Sequence, residues 1–303
     1  MADHSETERT IKDLFLTVKN NQTTLLFNNI EYYVGIVGKP TCKDGEPKTD
    51  IFLRMIEKVN NNKYLDIKIS VKQKDADFLE NKMSAESAER LFGDNWTEIV
   101  KSCTNSIRGE FNKRILIHKR KYRRTDAGSI TLGWKFELLN KPGGELSNEI
   151  TVDIKEVYKG LLLNDDKKNA RVNGKTIVGS GIADYILVVD KNSIPTKAQD
   201  ILNSLIFIDQ YVIGKKVYFA CKALNYRTLH NPPKHDGDRP LSVCVDWNVE
   251  NNKLTPKLCF DKPLITKGNQ VAEKLIRCLS VLNVKNTNDL TKQNVSNCGV
   301  CYE

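Results

Sequence analysis

Pro47-Lys48-Thr49-Asp50-Ile51-Phe52-Leu53-Arg54-Met55, followed after a turn by Tyr64-Leu65-Asp66-Ile67-Lys68-Ile69-Ser70-Val71-Lys72, decides how this chain is read. Ile51, Leu53 and Met55 alternate on one face of a first strand. Leu65, Ile67, Ile69 and Val71 alternate on one face of a second, with Asn60-Asn61-Asn62 as the turn between them. Asp50, Ser70 and Lys72 then share the opposite face. A turn centred near Asn61 pairs residues whose numbers sum to about 122, which sets Asp50 beside Lys72. An aspartate and a lysine meeting across a hairpin suit a Mg²⁺ and phosphate site.

Asp66-Ile67-Lys68 also offers an acid two residues before a lysine. At about 3.3 Å of rise per residue, however, Asp66 lies roughly 20 Å along the strand from Lys72. Asp50 cannot share a metal with it. Ser70 stands where an acid would be expected, so another carboxylate is needed, and Glu80, Glu86 and Glu89 follow. Glu86 comes seven residues after Leu79 and three after Met83, so one continuous helix would put it on their apolar stripe. A carboxylate there is costly unless it binds something.

With these residues the chain resembles the restriction-endonuclease-like nucleases of the PD-(D/E)xK superfamily. It is most similar to the type II restriction endonucleases whose strand reads Ser-x-Lys and whose missing acid comes from a Glu about fourteen residues on. Asp50 matches the invariant acid, Ser70 the vacated acidic position, Lys72 the motif lysine and Glu86 the relocated acid. Thr49 departs from the pattern, standing where the name-giving proline would be. The resemblance covers the hairpin and the segment after it, and it implies an α/β fold with a mixed β-sheet core flanked by helices. It implies catalytic roles for Asp50, Ser70, Lys72 and Glu86, and Mg²⁺ held by Asp50, Glu86 and the Val71 carbonyl. It further implies hydrolysis of double-stranded DNA at a specific sequence, leaving a 5′-phosphate, by a homodimer or higher oligomer that reaches both strands of a palindrome.

The composition agrees with a polyanionic partner. The chain has 303 residues with a net charge of +9 and a pI near 9.0, and nucleic acid is the commonest acidic partner of a basic protein. No apolar run is long enough to cross a bilayer and Met1 to Glu6 is polar, so no membrane is expected and a soluble, cytoplasmic protein is. Of the eight cysteines only Cys298-Gly-Val-Cys301 has metal-ligand spacing, and no second pair accompanies it, so a frayed tail is expected there.

Along the chain, Ile11, Leu14, Phe15 and Val18 fall at helical spacing, on a helix from which Glu6 and Glu8 either face the site or, as expected here, are solvated. Tyr32 to Val37 reads as a strand. The stretch Lys113, Arg114, Lys119, Arg120, Lys121, Arg123 and Arg124, placed on a helix, would repel itself unless it met phosphates. Lys141-Pro-Gly-Gly144 is the clearest breaker and divides a nuclease core, residues 1–140, from an α/β continuation, residues 141–303, unless the whole is one domain. In that second part a glycine turn at 179–181 leads into a buried strand, a helix covers 196–209, and strands cover 216–221, 241–249 and 254–260 before a helix at 270–282. The extended, proline-bearing segment 225–240 offers Arg227, Lys234 and Arg239 to DNA. Asp184 and Lys222 invite a test as a second Asp…Lys site and read better as strand ends.

Two other functions remain open on the sequence. In the first, Asp50, Lys72 and Glu86 are a structural ion-pair cluster in a noncatalytic nucleic-acid-binding protein. In the second, a repair or RNA nuclease uses the same residues.

Overall fold

The computed structural model describes residues 4–43, 45–81, 83–190, 192–296 and 301–302. The chain forms two compact units and crosses between them three times, so neither unit is continuous in sequence. Residues 1–77 hold α1 (His4–Asn20), β1 (Thr24–Phe27), β2 (Ile30–Gly38), β3 (Ile51–Glu57) and β4 (Tyr64–Gln73). Residues 78–152 leave for the second unit with β5 (Phe78–Glu80), α2 (Ala85–Phe92), α3 (Trp96–Ser106), α4 (Arg108–Asn112), β6 (Ile117–His118), β7 (Ser129–Leu139) and β8 (Ser147–Ile150). Residues 153–215 return to the first with α5 (Ile154–Lys159), α6 (Asp165–Lys168), β9 (Arg171–Val172), β10 (Lys175–Thr176), β11 (Tyr185–Val189), α7 (Ala198–Asn203), β12 (Ile206–Phe207) and α8 (Ile208–Tyr211). The rest completes the second unit with β13 (Val217–Arg227), β14 (Lys234–His235), β15 (Val243–Glu250), β16 (Lys253–Cys259), α9 (Gly268–Val281) and β17 (Cys301–Tyr302).

The molecule is therefore mixed α/β. In the first unit the sheet runs β1-β2-β3-β4-β11-β12 among the described residues. β2, β3 and β4 are antiparallel neighbours, whereas β11 pairs parallel with β4 and sets Ser70 opposite Ile186. Period-two alternation puts Leu53, Met55, Ile67 and Ile69 into a core closed by Ile11 and Phe15 of α1. Burying such side chains contributes about 1.5–3 kcal/mol each, so this packing holds the hairpin's polar face in place. In the second unit β7 is the hub, buried along almost its whole length and paired with β13, β15, β5 and β6. The indole N–H of fully buried Trp247 donates to the Thr131 carbonyl at 3.0 Å.

Several expected elements differ. The breaker at 141–144 joins β7 to β8 inside the second unit, and the crossings lie at 77/78, 152/153 and 215/216 instead. No helix carries the basic stretch: α4 ends at Asn112, and residues 113–124 run through β6 into a turn, because β6 pairs with β7 and its hydrogen bonds satisfy the backbone. The expected helix over 196–209 is broken into α7, β12 and α8, since Ile206 pairs with Ile186 at the sheet edge. Ile154 starts α5, because the Asp153 carboxylate caps the Lys155 and Glu156 N–H groups. No helix among the described residues is long and apolar enough to cross a membrane. Cys298 and the side chain of Cys301 lie outside the described residues.

Candidate functional site

Asp50 sits at the entrance to β3, and backbone hydrogen bonds fix the approach. The Lys48 and Thr49 N–H groups both donate to the Gly181 carbonyl, at 2.9 and 3.2 Å, and the Asp50 N–H donates to the Ile69 carbonyl at 2.8 Å. Gly181 itself has no room for a side chain, because a Cβ would lie 1.7 Å from the Lys167 carbonyl oxygen. The glycine turn at 179–181 is thus the clamp that delivers Asp50. The sequence presents it as no more than a turn.

The hairpin register is tighter than expected. Ile51 faces Ile69, so Asp50 is level with Ser70 and not with Lys72. The reason lies in the turn: the Glu57 N–H donates to the Lys63 carbonyl, which centres the reversal on Asn60. A shift by two residues keeps the face. One Asp50 carboxylate oxygen accepts the Val71 N–H at 2.7 Å and the Ser70 hydroxyl at 3.4 Å. Burial pushes the Asp50 carboxyl up to about 6; Lys72 opposes the rise, Glu8 adds to it, and the Val71 N–H and Lys39 oppose it further.

Glu8, for which the sequence leaves either solvent or the site, is not solvated. It pairs with Lys39 at 2.6 Å, with its side chain 17% exposed. Glu8 stands three residues before Ile11 and seven before Phe15, on the stripe of α1 that enters the core. That spacing was the available signal. Gln73 adds a further tie to this helix, donating to the Thr7 hydroxyl at 3.5 Å.

Glu86 belongs to the second unit. β5 ends at Glu80, and α2 begins only at Ala85, capped by the Ser84 hydroxyl accepting the Ser87 N–H at 3.1 Å. Leu79, Met83 and Glu86 therefore share no helix, and Glu86 is exposed while Ala88 and Leu91 form the buried face. Glu86 therefore lies on no apolar stripe with Leu79 and Met83. Glu89 is also exposed, and Glu80 is half-buried, 3.9 Å from Arg90.

The first unit thus gathers Asp50 and Glu8 as carboxylates, with Ser70, Val71, Lys39 and Lys72 around them. No group of three His, Cys, Asp or Glu side chains suited to a metal is found among the described residues. Two carboxylates still fit Mg²⁺, which keeps several waters and takes one or two carboxylates together with substrate phosphate. A buried carboxyl whose charge is resisted by desolvation and by a second carboxylate is one that a cation would relieve.

Asp184 and Lys222 each meet a partner within their own unit. Asp184 pairs with Lys68 at 2.9 Å in the first unit, whereas Lys222 lies in the second, 3.2 Å from the fully buried Glu137, which also meets Lys135 at 2.5 Å. Glu137 is the carboxylate companion that the sequence did not reveal.

The cationic residues fall in the second unit. Lys113, Arg114, Arg123 and Arg124 line a cleft of about 970 Å³ with His118, Tyr122 and Trp134. Lys119 is half-buried, and Arg120 and Lys121 are exposed. Arg227 is not available as expected for DNA contact, because it is held between Asp126 and Asp236, the latter at 2.6 Å. Lys234 on β14 and Arg239 are exposed. Comparison of the chain with family models, with curated proteins and with solved structures returns no match.

Proposed function

We propose that this chain is a Mg²⁺-dependent endonuclease acting on double-stranded DNA, of the type II restriction kind. The observation that carries the proposal is the Asp50 carboxylate, seated against the Val71 N–H and flanked by Glu8, Lys39 and Lys72. The mixed sheet, with β4 antiparallel to β3 and parallel to β11, supports a restriction-endonuclease-like core.

Asp50 and Glu8 would hold the cation, with the Val71 carbonyl as a further oxygen ligand. Bound there, Mg²⁺ supplies polarisation of a phosphate oxygen and a lowered pKa for water. Ser70 steadies the Asp50 carboxylate through its hydroxyl. Lys72 orients the attacking water and offsets negative charge at the phosphate. Lys39 holds Glu8 and keeps the two carboxylates from repelling each other freely. The second carboxylate, assigned by resemblance to Glu86, is better supplied by Glu8, which the first unit itself brings to Asp50. A homodimer would let two such sites cut both strands.

Incubation of the purified protein with plasmid and genomic DNA in Mg²⁺ tests the proposal. Discrete fragments that disappear with Asp50→Ala and with Lys72→Ala support it, at a loss of about 10³-fold or more. Binding without cleavage across several DNA sources overturns it in favour of a noncatalytic binder. Nicking, end-processing or RNA loss would move the same site to another nuclease class.

A further inference from the structure

The cleft of the second unit carries more positive charge than its own carboxylates use. Glu110 pairs with Lys113 at 2.6 Å, and Glu145 pairs with Arg114 at 2.6 Å. Arg123 and Arg124 are left as the surplus. They are the two central residues of a tight turn closed by Tyr122 and Thr125, whose backbones exchange hydrogen bonds at 3.0 and 2.9 Å. Arg123 holds φ at +53°, a region that favours glycine or asparagine, so the turn keeps an arginine where another residue would fit more easily. Arg124 makes no ion pair with another residue among those described. An anion is the ligand this rim fits.

An anion alone leaves the interior unexplained. The His118 and Tyr122 rings lie within 21° of parallel with centroids 6.5 Å apart, and the Arg123 guanidinium sits 5.3 Å from the Tyr122 ring centroid. These are flat, polarisable surfaces of the kind on which nucleobases stack. His118 is only 6% exposed, and its Nε2 lies 3.2 Å from the Ile115 carbonyl, which assigns the ring proton to Nε2. Burial holds its pKa below the ordinary value, so near neutral pH the ring is uncharged and Nδ1 is an acceptor. That buried Nδ1 has no hydrogen-bond partner. A phosphate oxygen cannot satisfy an acceptor, whereas an amino group can. The ligand must therefore join an anion, an aromatic plane and an N–H donor.

We propose that this cleft takes one nucleotide swung out of a nucleic-acid strand, stacking its base beside Tyr122 and His118. An exocyclic amino group donates to His118 Nδ1, and the adjoining phosphate lies on Arg123 and Arg124. The cleft volume is at the upper end of ordinary small-ligand sites, large enough for a base and its sugar-phosphate. The nucleic-acid origin of the nucleotide rests on the nuclease reading given above; the chemistry of the cleft does not.

The test titrates the full chain with dAMP, dCMP, dGMP, dTMP and inorganic phosphate, following calorimetry and tryptophan emission, since Trp134 lines the cleft. At least one amino-bearing nucleotide should saturate with a Kd near or below ~1 mM, and inorganic phosphate should bind about tenfold more weakly or worse. Tyr122→Ala and Arg124→Ala, with melting curves to confirm folding, should each weaken the nucleotide about fivefold or more. A duplex with one unpaired base should displace the nucleotide at lower concentration than a fully paired duplex. Absence of saturable nucleotide binding, phosphate binding as tight as the nucleotide's, indifference to both variants, or failure of either duplex to displace would each overturn the proposal. An Asp50→Asn chain separates this claim from the nuclease claim: it should bind nucleotide like the wild type. DNA cleavage by the wild type without nucleotide binding would sink the cleft alone.

Discussion

At the entrance to β3, two carboxylates meet two lysines, Asp50 and Glu8 against Lys39 and Lys72, so the charges there nearly cancel. In the cleft beside β7, four cationic side chains face two carboxylates, and the excess sits on the tip of a turn. The contrast shows that the +9 net charge of the chain is not one property spread evenly. A balanced, partly desolvated cluster can be tipped by one added cation, which suits chemistry. A cluster with surplus charge and flat rings suits holding a polyanion. The two regions should accordingly fail in different ways when altered.

The largest difference should come from the acid that completes the β3 site. Glu8→Gln should lower single-turnover cleavage by about 100-fold or more, while Glu86→Gln changes it less than about threefold. The opposite ranking would return the second carboxylate to α2 and remove Glu8 from the account.

Next in size is a pH effect confined to the first region. With its carboxyl raised from 3.8 to about 6, Asp50 favours the folded state when protonated. That contribution is complete below its unfolded pKa and lost as pH rises through about 6, so above pH 6 the ionised, metal-free site costs on the order of 2–3 kcal/mol at most. In chelator at pH 8, Asp50→Asn should therefore melt higher than the wild type, with the gap closing toward pH 4. A constant gap across that range would mean that Asp50 is not strained in the metal-free protein.

The smallest effect belongs to the cleft. Arg123→Gly should raise stability by about 1 kcal/mol, because glycine adopts the positive φ freely, and should still weaken nucleotide binding. Thermal melts and the nucleotide titration on the same sample check both signs together. Loss of stability in this variant would show that the Arg123 side chain serves the turn and not a ligand.

The hairpin was legible in the sequence because alternation at Ile51, Leu53, Met55, Ile67 and Ile69 is a local signal that the core enforces. Its face assignment survived a register error of two residues because side chains repeat every two. The apolar stripe expected to carry Glu86 with Leu79 and Met83 does not form, because a strand end and a serine cap interrupt it. Glu8, on a continuous stripe with Ile11 and Phe15, meets the same criterion. The two-unit organisation was hidden for another reason. Each crossing, at 77/78, 152/153 and 215/216, is a change of partner and not of composition, so the strong breaker at Lys141-Pro-Gly-Gly144 drew attention to what is only a turn. Arg227 illustrates the limit for charge, since its partners Asp126 and Asp236 come from distant or intervening loops.

Divalent-cation binding at the entrance to β3 is the most direct test. Mn²⁺ titrated into the metal-free protein at pH 7.5 and followed by electron paramagnetic resonance should reveal a saturable site. That site should vanish in Asp50→Asn, weaken about tenfold or more in Glu8→Gln, and persist in Glu86→Gln. Wild-type affinity in a folded Asp50→Asn protein would contradict it.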